Sequence, residues 1–278
     1  MKISCDVGLR VWVWCVTRAG LCFSVFSVLT VVSTHAAGLN DTGQTQCYNA
    51  ANGPVACSAA VGGDAGVNPR QDARYGRDAA AAAGQLTKLG AGTAGFDYSK
   101  IANDGSVLAA SATLGSAATD WACTKDNVTG LVWEVKTSSG LRSSAHSYTW
   151  YSTDATSNGG NVGALGTNTC GGSLAAAPYN NQCNTQNFVA AVNAVGLCGA
   201  NDWRLPSQRE LLTVVHAGNT NPSTDTAYFP NTSNLSYWTK TTYAADRATA
   251  WFVWFYDGYV GDNLKTVDNN VVRIVRGG

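Results

Sequence analysis

The chain has 278 residues, 13% charged and 45% hydrophobic, with 30 glycines and 6 prolines. That leaves room for one ordinary domain, or one domain plus an irregular subdomain, with a polar rather than charged surface. Eighteen basic and 18 acidic residues balance, which argues against the electrostatic footprint of a nucleic-acid binder.

Residues 1–36 read as a secretory signal. Lys2, Arg10 and Arg18 form a basic start, and Ala19 to Val32 an apolar run. "THAAG" then supplies small residues at Thr34 and Ala36, placing cleavage after Ala36. The run is short for a membrane span, and no later one is long enough, so no span is expected after removal. The mature chain would carry 15 basic and 17 acidic residues. The expected location is secreted or on the extracellular surface, with the periplasm as the other option.

Cys5, Cys15 and Cys22 fall in the signal, which leaves Cys47, Cys57, Cys123, Cys170, Cys183 and Cys198. An even number behind a signal suggests three disulfides in an oxidising compartment. Cys47 and Cys57 flank a Gly-Pro turn and are expected to pair. Cys183 and Cys198 bracket a predicted helix whose ends lie roughly 20 Å apart at about 1.5 Å per residue, beyond disulfide reach. The favoured remaining pairs are therefore Cys170–Cys183 and Cys123–Cys198. No Cys-x-x-Cys pair occurs, and the mature chain has only His146 and His216, so no metal and no cofactor is expected.

Residues 37–120 read as a Gly/Ala-rich extension packed on a main domain at 121–278. "RDAAAAAGQL" suggests a short helix, and "LGAGTAGFDYSKIANDGS" turns with a strand or two. Asp64, Asp72 and Asp78 lack calcium-loop spacing and read as solvated carboxylates. In "DNVTGLVWEVK" Leu131, Trp133 and Val135 alternate with Val132, Glu134 and Lys136, as in a half-buried strand. A long polar loop follows, from Thr137 to Gln182; such loops are functional or disordered.

"NTQNFVAAVNAVGLCG" predicts a helix capped by Asn184 or Thr185. Phe188, Ala191, Val192 and Val195 would face the core, and Gly196 would end it. In "NDWRLPSQRELLTVV" Ser207 and Glu210 have capping-box spacing, Pro206 fixes the approach, and Gly218 would stop the second helix. Trp203 and Leu205 point inward. Arg204 points outward or pairs with Asp202 or Glu210. Together with Trp133 and Trp251, these residues read as scaffold rather than active site.

"NLSYWTKTTY", "ATAWFVWFYDGYV" and "NNVVRIVRGG" then predict strands. Segregated strands and helices make the class α+β, with two helices on a small, mostly antiparallel sheet.

Six passages in this order resemble the Lcl C-terminal domain family of bacterial secreted proteins: "DNVTGLVWE", "NDWRLPSQREL", "AYFPNT", "YWTKTTY", "AWFVWFYDG" and "VVRIVRGG". The resemblance implies a C-type lectin-like fold and an adhesin-like binding module for glycans or sulfated glycosaminoglycans on a host or cell surface. The Glu-Pro-Asn or Gln-Pro-Asp and Trp-Asn-Asp triplets of calcium-dependent sugar-binding lectins are absent here. A protein-display scaffold with a variable C-terminal surface is a second reading. An enzyme related to formylglycine-generating enzymes is a third. It is weakened because no cysteine follows Cys198 and because no Gly-x-Ser-x-Gly or His-Glu-x-x-His motif occurs. His146 and His216 read as surface or capping residues.

In "AWFVWFYDG" both faces are aromatic. Period two puts Trp251, Val253 and Phe255 on one face, and Phe252, Trp254 and Tyr256 on the other. A central strand covered on both sides explains this. A binding platform of Phe252, Trp254 and Tyr256 explains it as well, with Tyr259, Asn263, Lys265, Asp268 and Asn269 as partners.

Overall fold

The computed structural model describes residues 40–48, 53–57 and 71–277; the expected signal at 1–36 and Asp64 lie outside them. A two-residue hairpin, β1 (Cys47–Tyr48) and β2 (Pro54–Val55), is closed by the Cys47–Cys57 disulfide. Two short helices follow, α1 (Asp72–Tyr75) and α2 (Arg77–Ala82).

The larger sheet has the order β10-β6-β5-β3-β4, all antiparallel. Its strands are β3 (Tyr98–Ala102), β4 (Val107–Leu108), β5 (Trp121–Asp126), β6 (Val132–Glu134) and β10 (Val275–Arg276). The extension is thus more than a pad on the domain, because β3 pairs along β5 from Tyr98↔Asp126 to Ala102↔Trp121. Between β5 and β6, Asp126 Oδ1 accepts the amides of Val128 and Thr129, and Gly130 takes a positive φ of 77° that closes the turn.

The helix α3 (Thr185–Val195) is capped by the Asn184 side chain, which accepts from Asn187 N. Gly196 ends it in the left-handed region. Val195, expected in the apolar stripe, is exposed. The chain turns at Gly196, and Leu197 and Cys198 of the following 3-10 turn (Leu197–Gly199) are buried instead. The helix α4 (Gln208–Leu212) stops well before Gly218. Val214 and Val215 donate to carbonyls three residues back, and Thr213 Oγ1 bonds Glu210 O.

The smaller sheet is β7 (Ser236–Thr242), β8 (Thr249–Trp254) and β9 (Tyr259–Leu264), with β8 central. The last expected strand does not extend it. Within "NNVVRIVRGG" only Val275–Arg276 is regular strand, and it pairs with β6 in the larger sheet.

Two buried clusters flank the smaller sheet. Trp238 and Ala250 belong to one, with Tyr148, Trp150, Phe188 and Trp203. Tyr237, Val253 and Phe255 belong to the other, with Phe96, Tyr98 and Trp133. Neighbouring residues of β7 and β8 therefore face opposite cores, as the pleat requires. The long loop supplies Tyr148, Trp150 and Leu174 to the first cluster, and the extension supplies Phe96 and Tyr98 to the second. The disulfides Cys123–Cys198 and Cys170–Cys183 lie within the first. The architecture is α+β, built from small antiparallel sheets and few helices. Among the described residues no helix is long and apolar enough to cross a membrane.

Candidate functional site

The β8–β9 hairpin carries the candidate surface. Its turn is set by Gly258, at φ 85°, whose amide donates to Trp254 O, and by Asp257 Oδ1, which accepts from Tyr259 N. Trp254 and Tyr259 are cross-strand partners and so share a face. Both are exposed. So is Tyr256, whose ring stacks on Trp254 with centroids 5.2 Å apart and planes 26° apart. These three rings form a ledge at the turn end of the sheet.

Phe252 joins it only at its root. Its ring lies 6.3 Å from Tyr259 but packs against the first core cluster, because its partner across β7 is the buried Trp238. Trp251 is half-buried on the opposite face, edge-on to Tyr243 at 4.9 Å. β8 is therefore a central strand packed on both faces for most of its length, with an aromatic ledge where it ends.

The expected polar partners are elsewhere. Lys265 is buried: its Nζ donates to Asn158 O and Asn161 O at 2.8 Å each and stands 4.1 Å from the Trp150 ring centre. It pins the long loop to the core, and burial pushes its ammonium down to about 8. Asn263 pairs with Ala250, at the other end of β8 from Trp254. Asp268 and Asn269 are exposed but follow from that same far end. The amides beside the ledge are instead Asn221 and Asn234, both exposed. Asn221 N donates to Tyr256 O, and Asn234 Nδ2 donates to Asn221 Oδ1 at 2.7 Å. Leu235 is exposed next to them, its carbonyl accepting from Phe255 N. Nothing in the local pattern of "NPS" or "SNLS" marked these residues, because only the return of both loops to the hairpin brings them there.

At the opposite end of β8 lies a cleft of about 390 Å³. Thr156, Ser157 and Gly159 of the long loop form one wall; Lys240 to Ala244 and Arg247 form the other. Lys240 and Arg247 are both exposed. Sequence reading missed this feature because the two walls are more than 80 positions apart.

The other polar constellations are internal. Arg204 forks onto Glu210, with contacts of 3.0 and 2.6 Å, and also donates to Gly277 O. The same carboxylate accepts Ser207 N, completing the capping box, and Arg276 takes Asp202. Trp203 is buried with Nε1 on Leu197 O, Pro206 is buried, and Leu205 is half-buried. This stretch is frame.

Glu134 and Lys136, expected on a solvated face, are both buried and paired at 3.0 Å. The C-terminal segment and α3 cover that face. Ile274 N donates to Glu134 Oε2, and Lys136 Nζ stands 4.6 Å from the Phe188 ring centre. Arg273 is likewise buried, over the Phe229 ring at 4.9 Å and bonded to Thr232 Oγ1. His216 is no surface residue either: it is buried beside Phe96, and burial lowers its pKa. His146 is half-buried, and its pKa is also lowered by burial.

The Lcl C-terminal domain matches over residues 122–276, from β5 to β10, more than half of the chain. The chain belongs to the Lcl C-terminal domain family. No curated protein and no solved structure matches it. The Lcl C-terminal domain holds the ledge, the cleft and the buried Glu134–Lys136 pair, whereas β3 and β4 precede it.

Proposed function

We propose that this protein is a secreted or cell-surface binding module with a C-type lectin-like fold, recognising glycans in an adhesin-like way. The observation that carries the reading is the exposed Trp254–Tyr256 stack, with Tyr259 beside it. Aromatic faces present apolar area to the C–H faces of sugar rings at little conformational cost. The Asn221 and Asn234 amides supply donors and acceptors beside them for hydroxyl groups. Three disulfides fit a protein made for an oxidising compartment.

The cleft favours a polymer over a single sugar. Ala250 and Trp254 are four residues apart, roughly 13 Å along a strand, a span of a few sugar units. Lys240 and Arg247 could meet a carboxylate or sulfate on the same chain that lies on the ledge.

A glycan array carrying neutral and acidic oligosaccharides, probed with the purified protein, tests the proposal. Retention on acidic oligomers, lost in Trp254→Ala and Tyr256→Ala, supports it. An array without any bound glycan, or binding unchanged in both variants, counts against it.

A further inference from the structure

We propose that Asp41, Asp72 and Asp78 form a calcium site that docks the segment before β1 onto helices α1 and α2. The three residues come from two stretches separated by the β1–β2 hairpin. Each offers a carboxylate oxygen, and these oxygens all lie within 4.8 Å of one another. A calcium ion bound at about 2.4 Å from each fits that spacing. Lone surface acids would not need one, but two of these three are buried. Asp41 and Asp78 are 7% and 3% exposed, and for Asp78 a solvated carboxylate had been expected.

Two of the three carboxylates leave one buried oxygen unused. Asp78 Oδ1 accepts Gly95 N at 2.8 Å, while its Oδ2 is buried without a hydrogen-bond partner among the described residues. Asp41 Oδ2 is buried without one in the same way. The Thr42 hydroxyl donates to Asp72 and holds the third carboxylate in place. Two of the nearby cations bond backbone carbonyls: Arg77 Nε donates to Gly95 O, and Lys88 Nζ to Gly92 O and Ala94 O. Two buried carboxylates this close need a shared proton or a cation between them. An all-oxygen donor set, with neither histidine nor cysteine, suits a hard divalent ion. The site precedes residues 122–276, so it is not part of the family match.

The test uses the purified protein stripped with EDTA and titrated with calcium chloride, with binding heat and thermal unfolding as readouts. One calcium per chain and a melting temperature that rises with calcium are expected. Asp78→Asn should abolish both effects. Asp72→Asn, at a half-buried position that tolerates the change, should fold normally and weaken calcium binding by roughly tenfold or more. The proposal fails if the folded protein gives no binding heat and melts identically in calcium and EDTA. It also fails if Asp72→Asn binds calcium like the parent. A shared proton would show itself differently: Asp78→Asn would then melt at or above the parent in EDTA, with calcium without effect on either, and that too overturns it.

Discussion

Lys136 Nζ lies 3.0 Å from Glu134 Oε1, and both side chains are closed off from solvent on a face that the alternation of "LVWEVK" had assigned to water. Removing one member of such a pair strands the other charge. Lys136→Met should therefore cost about 3–5 kcal/mol, and the double change Glu134→Gln with Lys136→Met much less than the sum. Burial pushes the Lys136 ammonium down to about 8, against the pull of Glu134. The unfolded chain thus binds the extra proton between pH 8 and 10.5, and this group makes stability rise with pH across that window. Denaturant titrations at pH 7, 8 and 9.5 check both points. A Lys136→Met protein with the parental slope of stability against pH contradicts the assignment.

Trp203 is buried with its indole N–H on Leu197 O, at the junction of the 3-10 turn and the approach to α4. Trp203→Ala should cost about 3–5 kcal/mol, as for other core aromatics. Thermal melts give the value directly. A loss of binding without a loss of stability would mean that this residue belongs to a site and not to the frame.

Ser207 and Glu210 close the capping box of α4, and Arg204 clamps the same carboxylate. Ser207→Ala should cost about 1 kcal/mol. Burial pushes the Glu210 carboxyl up, but the hydrogen bonds from Arg204 and Ser207 outweigh it and hold the pKa below the usual 4.5. A depressed carboxylate stabilises the fold above pH 4.5, and that contribution is lost as pH falls through the folded-state value. Arg204→Met should therefore lower the melting temperature at pH 7 and converge with the parent in acid. A constant gap down to pH 2 would mean that Arg204 acts through packing alone.

Local chemistry was legible in the sequence wherever it was self-contained. The Ser207–Glu210 box, the Asn184 cap and the Gly196 stop each involve groups within four residues, so spacing reveals them. The length of α3 ruled out Cys183 with Cys198, and the favoured pairs, Cys170–Cys183 closing a loop and Cys123–Cys198 tying a strand to the helix end, are those found. What spacing cannot reveal is what lies over a strand. Glu134 and Lys136 alternate like solvent residues, yet α3 and the C-terminal segment cover them. Lys265 looked like a ligand partner because a lysine beside a turn usually is exposed, but its stem runs over Trp150 to carbonyls more than 100 positions earlier. The Asn221–Asn234 pair beside the ledge is equally non-local.

Burial alternates along the end of β8 and the turn that follows it. Phe255 and Val253 are fully buried in the second core, while Trp254 and Tyr256 are 38% and 43% exposed and lean on each other. Truncating an exposed stack removes little buried area, so Trp254→Ala and Tyr256→Ala should each cost under about 1.5 kcal/mol. Phe255→Ala should cost about 3–5 kcal/mol by opening a core cavity. Binding should follow the opposite order. Aromatic anchors concentrate interface energy, so each ledge variant should lose at least tenfold in affinity for the oligosaccharide found on the array, about 1.4 kcal/mol or more. Lys240→Ala with Arg247→Ala, in the cleft, should weaken acidic oligomers and leave neutral ones unchanged. Calorimetric titrations beside thermal melts measure both quantities on each protein. Ledge variants that melt like the parent and bind like it would move the site off β8. Ledge variants that unfold would instead return Trp254 and Tyr256 to the core.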